Sequence, residues 1–423
     1  MNTYQHTKPT QIAWLGDVPE HWEVKKLKFV LQLSTEKIES QKSDLRYLGM
    51  ENIVSNTGEL TETILQADGI ANVFYENDIL FGKLRPYLAK VYLAQMAGIC
   101  STEFLVYKTS QQIFNKFAFY LMICQNFIAT VNSSTYGTKM PRANSDFLAN
   151  LPIPIPPLSE QTAIAEFLDK KTAQIQKAIA LKTEQIARLK EYRQTLINQT
   201  VTQGLNPNAP LKNSGVAWLG DMPEHWEVLA LKRVITEHSG NGFPIELQGN
   251  NGSIPFLKVS DFSLNSNKFI EQWNNSVTQI TAKSKKWNVV PKGTLVTAKI
   301  GEALRKNHRK ILLENSIIDN NCLGIEFIKI DHLFGYYLHC AIDFDWFVNE
   351  GAVPSLSMGK YRNFKIPIPP LSEQTAIAEF LDKKTVQIDT AITHHQTQIE
   401  RLKEYQQSLI NDVVTGKISV QTA

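Results

Sequence analysis

The chain has 423 residues, a length that suggests two to four domains. Its composition is ordinary, with 43% hydrophobic, 20% charged and 9% aromatic residues, and it excludes a disordered chain, a collagen-like chain and a disulfide scaffold. Lysine and arginine number 44 against 41 acidic residues, a net charge of +3, so any binding of nucleic acid must depend on local basic patches.

The amino-terminal ten residues are polar, and no apolar run reaches the roughly 18 residues that a membrane helix needs. We therefore expect a cytoplasmic protein without a signal peptide. The four cysteines form no C-x-x-C pair and have no histidine at zinc-finger spacing. They predict free thiols and no metal site.

An aromatic cassette, residues 14–24, comes first along the chain and contains two tryptophans, Pro19 and His21. A histidine beside a tryptophan is more often a packed, hydrogen-bonded residue than a catalytic one. We predict that the cassette anchors the domain that follows it or docks a partner.

The first insert, residues 25–150, alternates short β-type runs with Gly, Asn and Pro, and has an apolar, helical stretch at 114–131. Residues 79–88 predict a strand followed by an exposed loop, and residues 133–142 predict a second polar, basic loop. Such side chains suit phosphates and base edges. The candidate DNA contacts of this insert are Lys83, Arg85, Tyr136, Lys139 and Arg142.

A long helix is predicted after a lead-in with four prolines between residues 152 and 157, which favour extended chain. Ser159 is a candidate N-cap, and Glu160 lies in the first turn, where the helix dipole favours an acid. Neither proline nor glycine occurs from there until Gly204, a candidate stop. A helix of about 40 residues would span about 60 Å.

The segments that flank the first insert recur in the second half of the chain. Residues 218–228 match residues 14–24 at ten of eleven positions, and residues 366–385 match residues 153–172 at all twenty. The inserts between them share no clear identity. Two copies of one scaffold therefore carry two different inserts, which indicates a duplicated module with pseudo-twofold symmetry rather than a solenoid.

The second insert, residues 229–363, has a similar strand at 293–300 and a helical stretch at 333–347. Residues 281–310 contain nine Lys or Arg and one acid, which predicts a phosphate-binding face; a solvated basic loop is the alternative. Residues 351–362 close the insert with a polar, basic loop. The candidate DNA contacts here are Lys299, Arg305, Lys306, Arg309, Lys310, Lys360 and Arg362.

Both predicted long helices have apolar residues spaced alternately four and three apart, a 3.5-residue repeat typical of coiled coils. The nearest partner for each helix is the other copy, and the alternative is two amphipathic helices on separate domains. The seam residues of this coiled coil are Ile175, Ile179, Ile186, Leu189 and Leu196 in the first copy and Ile388, Ile392, Ile399, Leu402 and Leu409 in the second.

Catalytic and nucleotide-binding motifs are missing. The sequence has no Walker A motif, no glycine-rich loop after a strand and no Asn/Asp-Pro-Pro-aromatic tetrapeptide of amino-methyltransferases. Asp17, Glu23 and Lys25 could hold Mg²⁺ in a nuclease, but the second cassette has Leu229 in place of the lysine. The divergence favours a structural role, and we expect neither a catalytic residue nor a bound metal.

The motif Pro-Pro-Leu-Ser-Glu-Gln-x-x-Ile-Ala-x-Phe-Leu-Asp occurs twice and ends at Asp169 and Asp382. It is similar to a motif of a known protein family. Together with the Gly-Lys-Leu-Arg-Pro-Tyr-Leu run at 82–88, the Pro-Glu-His-Trp cassettes and the two unlike inserts, it resembles the specificity subunit of type I restriction-modification enzymes. The resemblance covers the whole chain.

This resemblance implies an α+β fold with two globular mixed α/β target-recognition domains joined by two long antiparallel coiled-coil helices. The implied divisions are recognition domain 1 at 1–151, a spacer helix at 152–205, recognition domain 2 at 206–364 and a second spacer helix at 365–423. Each recognition domain would read one half of a split DNA sequence, and the helices would set the unread gap. We expect half-site centres about one helical turn of DNA apart.

Partners are implied as well. Two modification subunits would methylate adenine from S-adenosylmethionine, and two restriction subunits would translocate and cut DNA with ATP and Mg²⁺. The catalytic residues and cofactors would belong to those partners and not to this chain. Two alternatives remain at this point, an enzyme in its own right and a non-catalytic scaffold without sequence-specific DNA binding. Salt-dependent DNA affinity would exclude the scaffold.

Overall fold

A computed structural model of the protein describes residues 3–66, 68–137 and 139–420. The chain divides into two compact units. Unit 1 consists of residues 1–183 and 395–423, and unit 2 consists of residues 184–394. Each unit therefore contains one insert and a part of both long helices.

The helices are short within the inserts and very long after them. In chain order they are α1 (Asn115–Ile123), α2 (Gln125–Ser133), α3 (Ser145–Asn150), α4 (Leu158–Gln203), α5 (Asp261–Leu264), α6 (Gln279–Ser284), α7 (His332–Ala341), α8 (Met358–Asn363) and α9 (Leu371–Val414). With 46 and 44 residues, α4 and α9 are the predicted long helices. Among the described residues, no helix combines the length and apolar character of a membrane span.

The ends of α4 agree closely with the sequence. The helix begins at Leu158, one residue before the predicted cap, because the amides of residues 160 and 161 both donate to the Pro157 carbonyl at 2.9 Å. It ends before Gly204, which has a φ of +76° and donates its amide to the Thr200 carbonyl. A left-handed residue just after a helix is favoured when that residue is glycine, as predicted.

The coiled coil is confirmed within each unit, and the two helices run antiparallel there. In unit 2 the Arg193 Nε lies 3.2 Å from the Asp389 Oδ1. In unit 1 the Gln176 Nε2 donates to the Gln406 Oε1 at 3.0 Å, and the Lys182 Nζ donates to the Gln398 Oε1. Residue numbers thus rise along α4 as they fall along α9. All ten predicted seam residues are buried or half-buried, with Ile175, Ile388, Ile392 and Leu409 the most enclosed.

Unit 1 contains two four-stranded sheets, in the orders β5-β7-β10-β6 and β4-β11-β8-β9. The two-stranded pairs β1–β2 and β3–β12 are antiparallel. The strands are β1 (Thr7–Pro9), β2 (Asp17–Pro19), β3 (Glu23–Lys26), β4 (Leu31–Leu33), β5 (Lys37–Glu39), β6 (Tyr47–Leu48), β7 (Ile70–Phe74), β8 (Ile79–Gly82), β9 (Val91–Leu93), β10 (Gly98–Cys100), β11 (Phe104–Thr109) and β12 (Pro152–Ile155).

Unit 2 contains a five-stranded sheet, β16-β23-β20-β21-β18, a three-stranded sheet, β19-β17-β22, and three two-stranded pairs. The strands are β13 (Leu211–Asn213), β14 (Asp221–Pro223), β15 (Glu227–Ala230), β16 (Ile235–Ser239), β17 (Ile254–Leu257), β18 (Phe269–Ile270), β19 (Ser276–Val277), β20 (Leu295–Ala298), β21 (Lys310–Leu312), β22 (Ile317–Ile318), β23 (Cys322–Phe327), β24 (Val348–Asn349), β25 (Ser355–Leu356) and β26 (Lys365–Ile368). Both units are mixed α+β, as predicted.

The helical stretches predicted inside the inserts are each divided in two. Cys124 has an extended backbone and separates α1 from α2, so that Phe117 and Phe127 both reach the core of unit 1. In unit 2 the predicted helix ends at Ala341, and residues 344–347 form a separate 3-10 turn. Apolar composition predicted helix correctly but could not locate these breaks.

A two-stranded stem holds the two ends of each insert together. In unit 1, β3 pairs with β12, and the Leu27 amide donates to the Leu151 carbonyl at 2.9 Å. In unit 2, β15 pairs with β26, and the Leu231 amide donates to the Phe364 carbonyl at the same distance. Since proline is tolerated at a sheet edge, the proline-rich lead-in can form these outer strands.

The repeated motif after each stem anchors the cassette to the long helix. Glu160 accepts hydrogen bonds from the His21 Nε2 (2.8 Å) and the Trp22 indole (3.1 Å). Glu373 makes the same bonds to His225 and Trp226, at 2.6 and 3.0 Å. Each cassette is thus bound to a long helix, and the first also contacts its insert, because the Trp14 carbonyl accepts from the Asn126 side chain at 3.1 Å. Docking of a partner stays a prediction.

The same motif also fastens the insert. The Tyr120 hydroxyl of α1 donates to Asp169 at 2.7 Å, and the Tyr337 hydroxyl of α7 donates to Asp382 at 2.6 Å. The buried Gln161 accepts the Phe114 amide, and Gln374 accepts the Asp331 amide. These matching bonds fix each insert on its helix pair.

Candidate nucleic-acid interface

In unit 1 the structure brings the two predicted basic loops side by side. The Arg85 amide donates to the Pro141 carbonyl at 2.7 Å, and the Ala143 amide donates to the Lys83 carbonyl at 2.8 Å. We call residues 83–85 and 136–143 loop cluster 1. It contains all five predicted contacts of the first insert, which are Lys83, Arg85, Tyr136, Lys139 and Arg142.

The side chains of loop cluster 1 differ in whether they are exposed or already bound to another residue of the chain. Arg142 donates to both carboxylate oxygens of Glu103, at 2.9 to 3.2 Å, and these hydrogen bonds raise the pKa of its guanidinium. Arg85, Tyr136 and Lys139 are exposed. Arg142 therefore shapes the loop, whereas the other three can face a ligand.

Unit 2 has the corresponding arrangement. The Gly301 amide donates to the Pro354 carbonyl at 2.8 Å, and the Leu356 amide donates to the Lys299 carbonyl at 2.9 Å. We call residues 299–301 and 354–362 loop cluster 2. It contains Lys299, Lys360 and Arg362 of the predicted contacts.

The two loop clusters share two equivalent backbone hydrogen bonds, but their side chains differ. Pro354 corresponds to Pro141, and Lys299 corresponds to Lys83. The position of Arg85, however, is held by Gly301 in the second cluster. Lys360 is exposed, and Arg362 binds Glu237 with distances of 2.7 to 3.1 Å. The framework is shared, and its chemistry differs between the copies.

The basic stretch at 281–310 is not the uniform phosphate-binding face that we predicted. Arg305 is exposed, but its Nη2 lies 2.7 Å from Glu350, with Glu302 and Asp345 within 4.0 Å. Lys306 is exposed. These two residues remain on the surface, where Arg305 forms an ion pair with Glu350.

Arg309 and Lys310 require a correction, because both are buried in unit 2. The Arg309 guanidinium donates to the carbonyls of His339 and Ile342 at 3.2 and 2.9 Å, and Lys310 donates to the carbonyls of Asn265 and Asn267. Neither side chain lies on a surface that duplex DNA could contact, so the prediction of DNA contacts for these two residues is wrong.

Sequence reasoning missed two apolar side chains in the loops. Met140 and Val353 precede the corresponding prolines, Pro141 and Pro354, and are 53% and 60% exposed. The signal that could have revealed them is an apolar residue before proline inside a polar loop. Apolar side chains in such a place can contact thymine methyl groups.

The acidic residues of the first cassette form no cluster. Asp17 is exposed in β2, and Glu23 pairs with Lys25 at 2.6 Å, which lowers the pKa of its carboxyl. Within the described ranges, no three His, Cys, Asp or Glu side chains are grouped closely enough to hold a metal ion.

Replacing Arg85 and Lys139 together with Ala is expected to weaken DNA binding without loss of stability, because both side chains are exposed. The slope of log affinity against log salt should flatten by about 0.9 for each phosphate that the variant no longer neutralises. DNA titrations at several salt concentrations measure this slope. Lys177→Ala, an exposed residue of α4, is the control. An unchanged slope would show that the two cations are merely solvated.

Comparison with known proteins gives matches to one family in both halves of the chain. The family model described as type I restriction modification DNA specificity domain matches residues 19–191 and 223–404. The type I restriction enzyme MjaVIII specificity subunit of Methanocaldococcus jannaschii is 25% identical over 421 residues, covering 96% of this chain and 94% of that protein. The EcoDI specificity subunit of Escherichia coli is 30% identical over 166 residues, covering 37% and 36%.

Solved structures show the same fold. A chain from a study of complex assembly and conformational transition of the type I R-M system aligns with a TM-score of 0.75 and 21% identity, over 95% of this chain and 99% of that one. The HsdS subunit from Thermoanaerobacter tengcongensis aligns with a TM-score of 0.53 and 20% identity, over 95% and 98%.

Proposed function

The chain belongs to the family of type I restriction modification DNA specificity domains, which recognise target sequences in DNA, and we propose that its two loop clusters each read one half of a bipartite target. The observation that carries this proposal is the correspondence of the two clusters. Their backbones share the same hydrogen bonds, and their side chains differ. Two unlike recognition surfaces on one duplicated frame suit an asymmetric sequence.

The contacts proposed for unit 1 are Arg85, Lys139 and Tyr136, and those for unit 2 are Lys299, Lys360 and Lys306. Arginine and lysine can donate to guanine O6 and N7 or to phosphate, and tyrosine can donate to either. Arg142 and Arg362, each bound to a glutamate, position their loops instead. The recognition domains proposed from the sequence, 1–151 and 206–364, contain these contacts.

We further propose that the antiparallel pairs formed by α4 and α9 set the unread gap between the two half-sites. Both helices continue without interruption through residues that belong to unit 1 and unit 2. A helix holds its rise of 1.5 Å per residue, so its length is a defined distance in a way that a loop is not.

The proposed partners are two copies of a modification subunit, with two restriction subunits in the complete complex. Leu158 and Leu371 are exposed at corresponding positions, and so are Tyr192 and Tyr405. Large apolar side chains that stay in solvent in both copies are typical of an interface. Because the two sets are identical in sequence, they suit two copies of the same partner.

Catalysis is assigned to these partners in the proposal. The modification subunits would use S-adenosylmethionine to methylate adenine, and the restriction subunits would use ATP and Mg²⁺ to translocate and cut. This chain would contribute sequence recognition and bind no cofactor. The protein would act in the cytoplasm, where its DNA target lies.

An exchange of inserts tests the proposed function. Residues 27–151 can replace residues 231–364, because both segments begin and end on equivalent stem bonds. The grafted insert meets the side chains that it contacts in unit 1, since Gln374, Asp382 and Thr385 are identical to Gln161, Asp169 and Thr172. We expect the variant complex to modify a symmetric target with two copies of the half-site read by unit 1.

Mapping of methylated sites by sequencing measures the target. The reciprocal graft, residues 231–364 in place of 27–151, is the matched control and should give a symmetric target built from the other half-site. Retention of the original asymmetric target by either folded variant would contradict the assignment of one half-site to each insert.

A further inference from the structure

We propose that unit 2 contains a binding site for a phosphate group, in a cavity between the second half of α4 and the end of α7. The cavity has a volume of about 480 Å³. Arg193, Gln194 and Asn198 line it from α4, and Arg309, Cys340 and Trp346 line it from the insert. The site is distinct from loop cluster 2, and the proposal does not depend on the DNA-reading role.

The guanidinium of Arg309 is the centre of this site. Its Nε and Nη2 donate to the His339 and Ile342 carbonyls, and its carbon lies 3.9 Å from the centre of the Phe344 ring. Its Nη1 is buried and has no hydrogen-bond partner in the part of the chain that the structure describes. A buried donor left without a partner is costly, and an oxyanion in the cavity would satisfy it.

The charges around the cavity favour an anion. Arg193, Arg309 and Lys310 line it against one acid, Asp343, whose carboxylate accepts from the Asn307 amide group. Arg193 also lies beside Asp389, which offsets part of its charge. Lys310 is held by backbone carbonyls. With three cations against one acid, the net charge of the lining is positive, and because Lys310 is already bonded to carbonyls, the two arginines are the groups left to bind an anion.

Histidines near the site do not add to this charge. Burial lowers the pKa of His339 to about 3, so its ring is neutral in the ordinary pH range. His308 also lines the cavity, and its pKa is lowered by burial and then by Lys310, Lys306 and Arg309. Binding of a phosphate thus depends on arginine, which stays charged throughout that range.

The duplicated scaffold supplies an internal comparison. Unit 1 has a cavity of about 250 Å³ at the corresponding place, lined by Phe119, Ile123 and Gln406 where unit 2 has Tyr336, Cys340 and Arg193. Among its described lining residues there is no Lys or Arg, and two acids, Glu59 and Asp169, are present. The basic character is therefore a property of unit 2 and not of the scaffold.

Binding of inorganic phosphate to the full chain tests the site. We expect phosphate to raise the midpoint of thermal unfolding above that in chloride at equal ionic strength, and to give saturable binding in calorimetry. Arg193→Gln, which installs the residue of unit 1, should weaken phosphate binding at least tenfold. Arg188→Gln, an exposed residue of the same helix, should leave it unchanged.

Arg193 is chosen because loss of Arg309 would leave two buried carbonyls without donors and could unfold unit 2. Two further ligands define the specificity of the site. Adenosine monophosphate tests whether a phosphate ester binds better than inorganic phosphate, and acetate tests whether a carboxylate binds equally well. Tighter binding of the nucleotide would identify a phosphate ester as the ligand class. Equal binding of phosphate and acetate, phosphate binding that survives Arg193→Gln, or no binding to the native chain would each overturn the proposal.

Discussion

Lengthening both long helices by one heptad is expected to widen the unread gap of the DNA target by one to three base pairs. Seven residues inserted after Thr183 in α4 and seven after His394 in α9 keep the 3.5-residue seam in phase on both sides. The added rise is about 10.5 Å, or about three base pairs at 3.4 Å each. Each added base pair also rotates one half-site around the duplex, which favours the smaller changes.

The two insertion points avoid the residues that fasten the inserts to the long helices. Insertion just before Thr172 would disturb the bonds from Tyr120 to Asp169 and Thr172, and thereby the anchoring of the first insert. Thr183 and His394 lie where each helix passes from one compact unit to the other. The bases read within each half-site should therefore stay the same.

The methylated sequence of the variant complex measures the gap. The control is an insertion of seven Gly and Ser residues after Asn208, in the exposed segment that follows α4, which lengthens the chain but not the helices. That control should keep the original gap. A lengthened helix pair with an unchanged gap would contradict the spacer role, and altered bases would contradict the separation of recognition surfaces from the frame.

Trp22→Ala is expected to destabilise unit 1 by about 3–5 kcal/mol, the usual range for truncating a buried tryptophan. The Trp22 side chain is fully buried, donates to Glu160, and packs against the end of α9. A Cβ on Gly416 would lie 2.3 Å from Pro19 and 3.1 Å from the Trp22 ring. The cassette thus packs directly against the end of α9, and only glycine at position 416 allows so close a contact.

His21→Ala is the matched control, because His21 binds the same glutamate but is half exposed. A contact made by a half-exposed polar side chain contributes about 0–1 kcal/mol, so this variant should unfold close to the native chain in urea. Limited proteolysis should show whether the loss of stability in Trp22→Ala falls on unit 1. Equal effects of the two substitutions would mean that the Glu160 bonds, and not burial of the indole, hold the cassette.

The basic residues show where prediction from the sequence reaches its limit. Lys83, Arg85 and residues 136–142 are far apart in the chain, yet both segments were recognised as candidate loops, because polar and basic residues after a strand mark exposed turns. The same reasoning failed for Arg309 and Lys310. Their partners are carbonyls of residues 265, 267, 339 and 342, and a backbone carbonyl leaves no trace in the sequence.

The sequence by itself determined the duplicated scaffold, the two long helices, the seam residues and the position of the variable inserts. Identity between copies and the 3.5-residue period are properties of the chain, so they can be counted directly. The antiparallel direction of the helices followed from the family resemblance, whereas only the tertiary structure decided that the end of α4 meets Trp226, that the end of α9 meets Trp22, and which cations are buried. These facts depend on contacts between distant residues, which periodicity and composition do not specify.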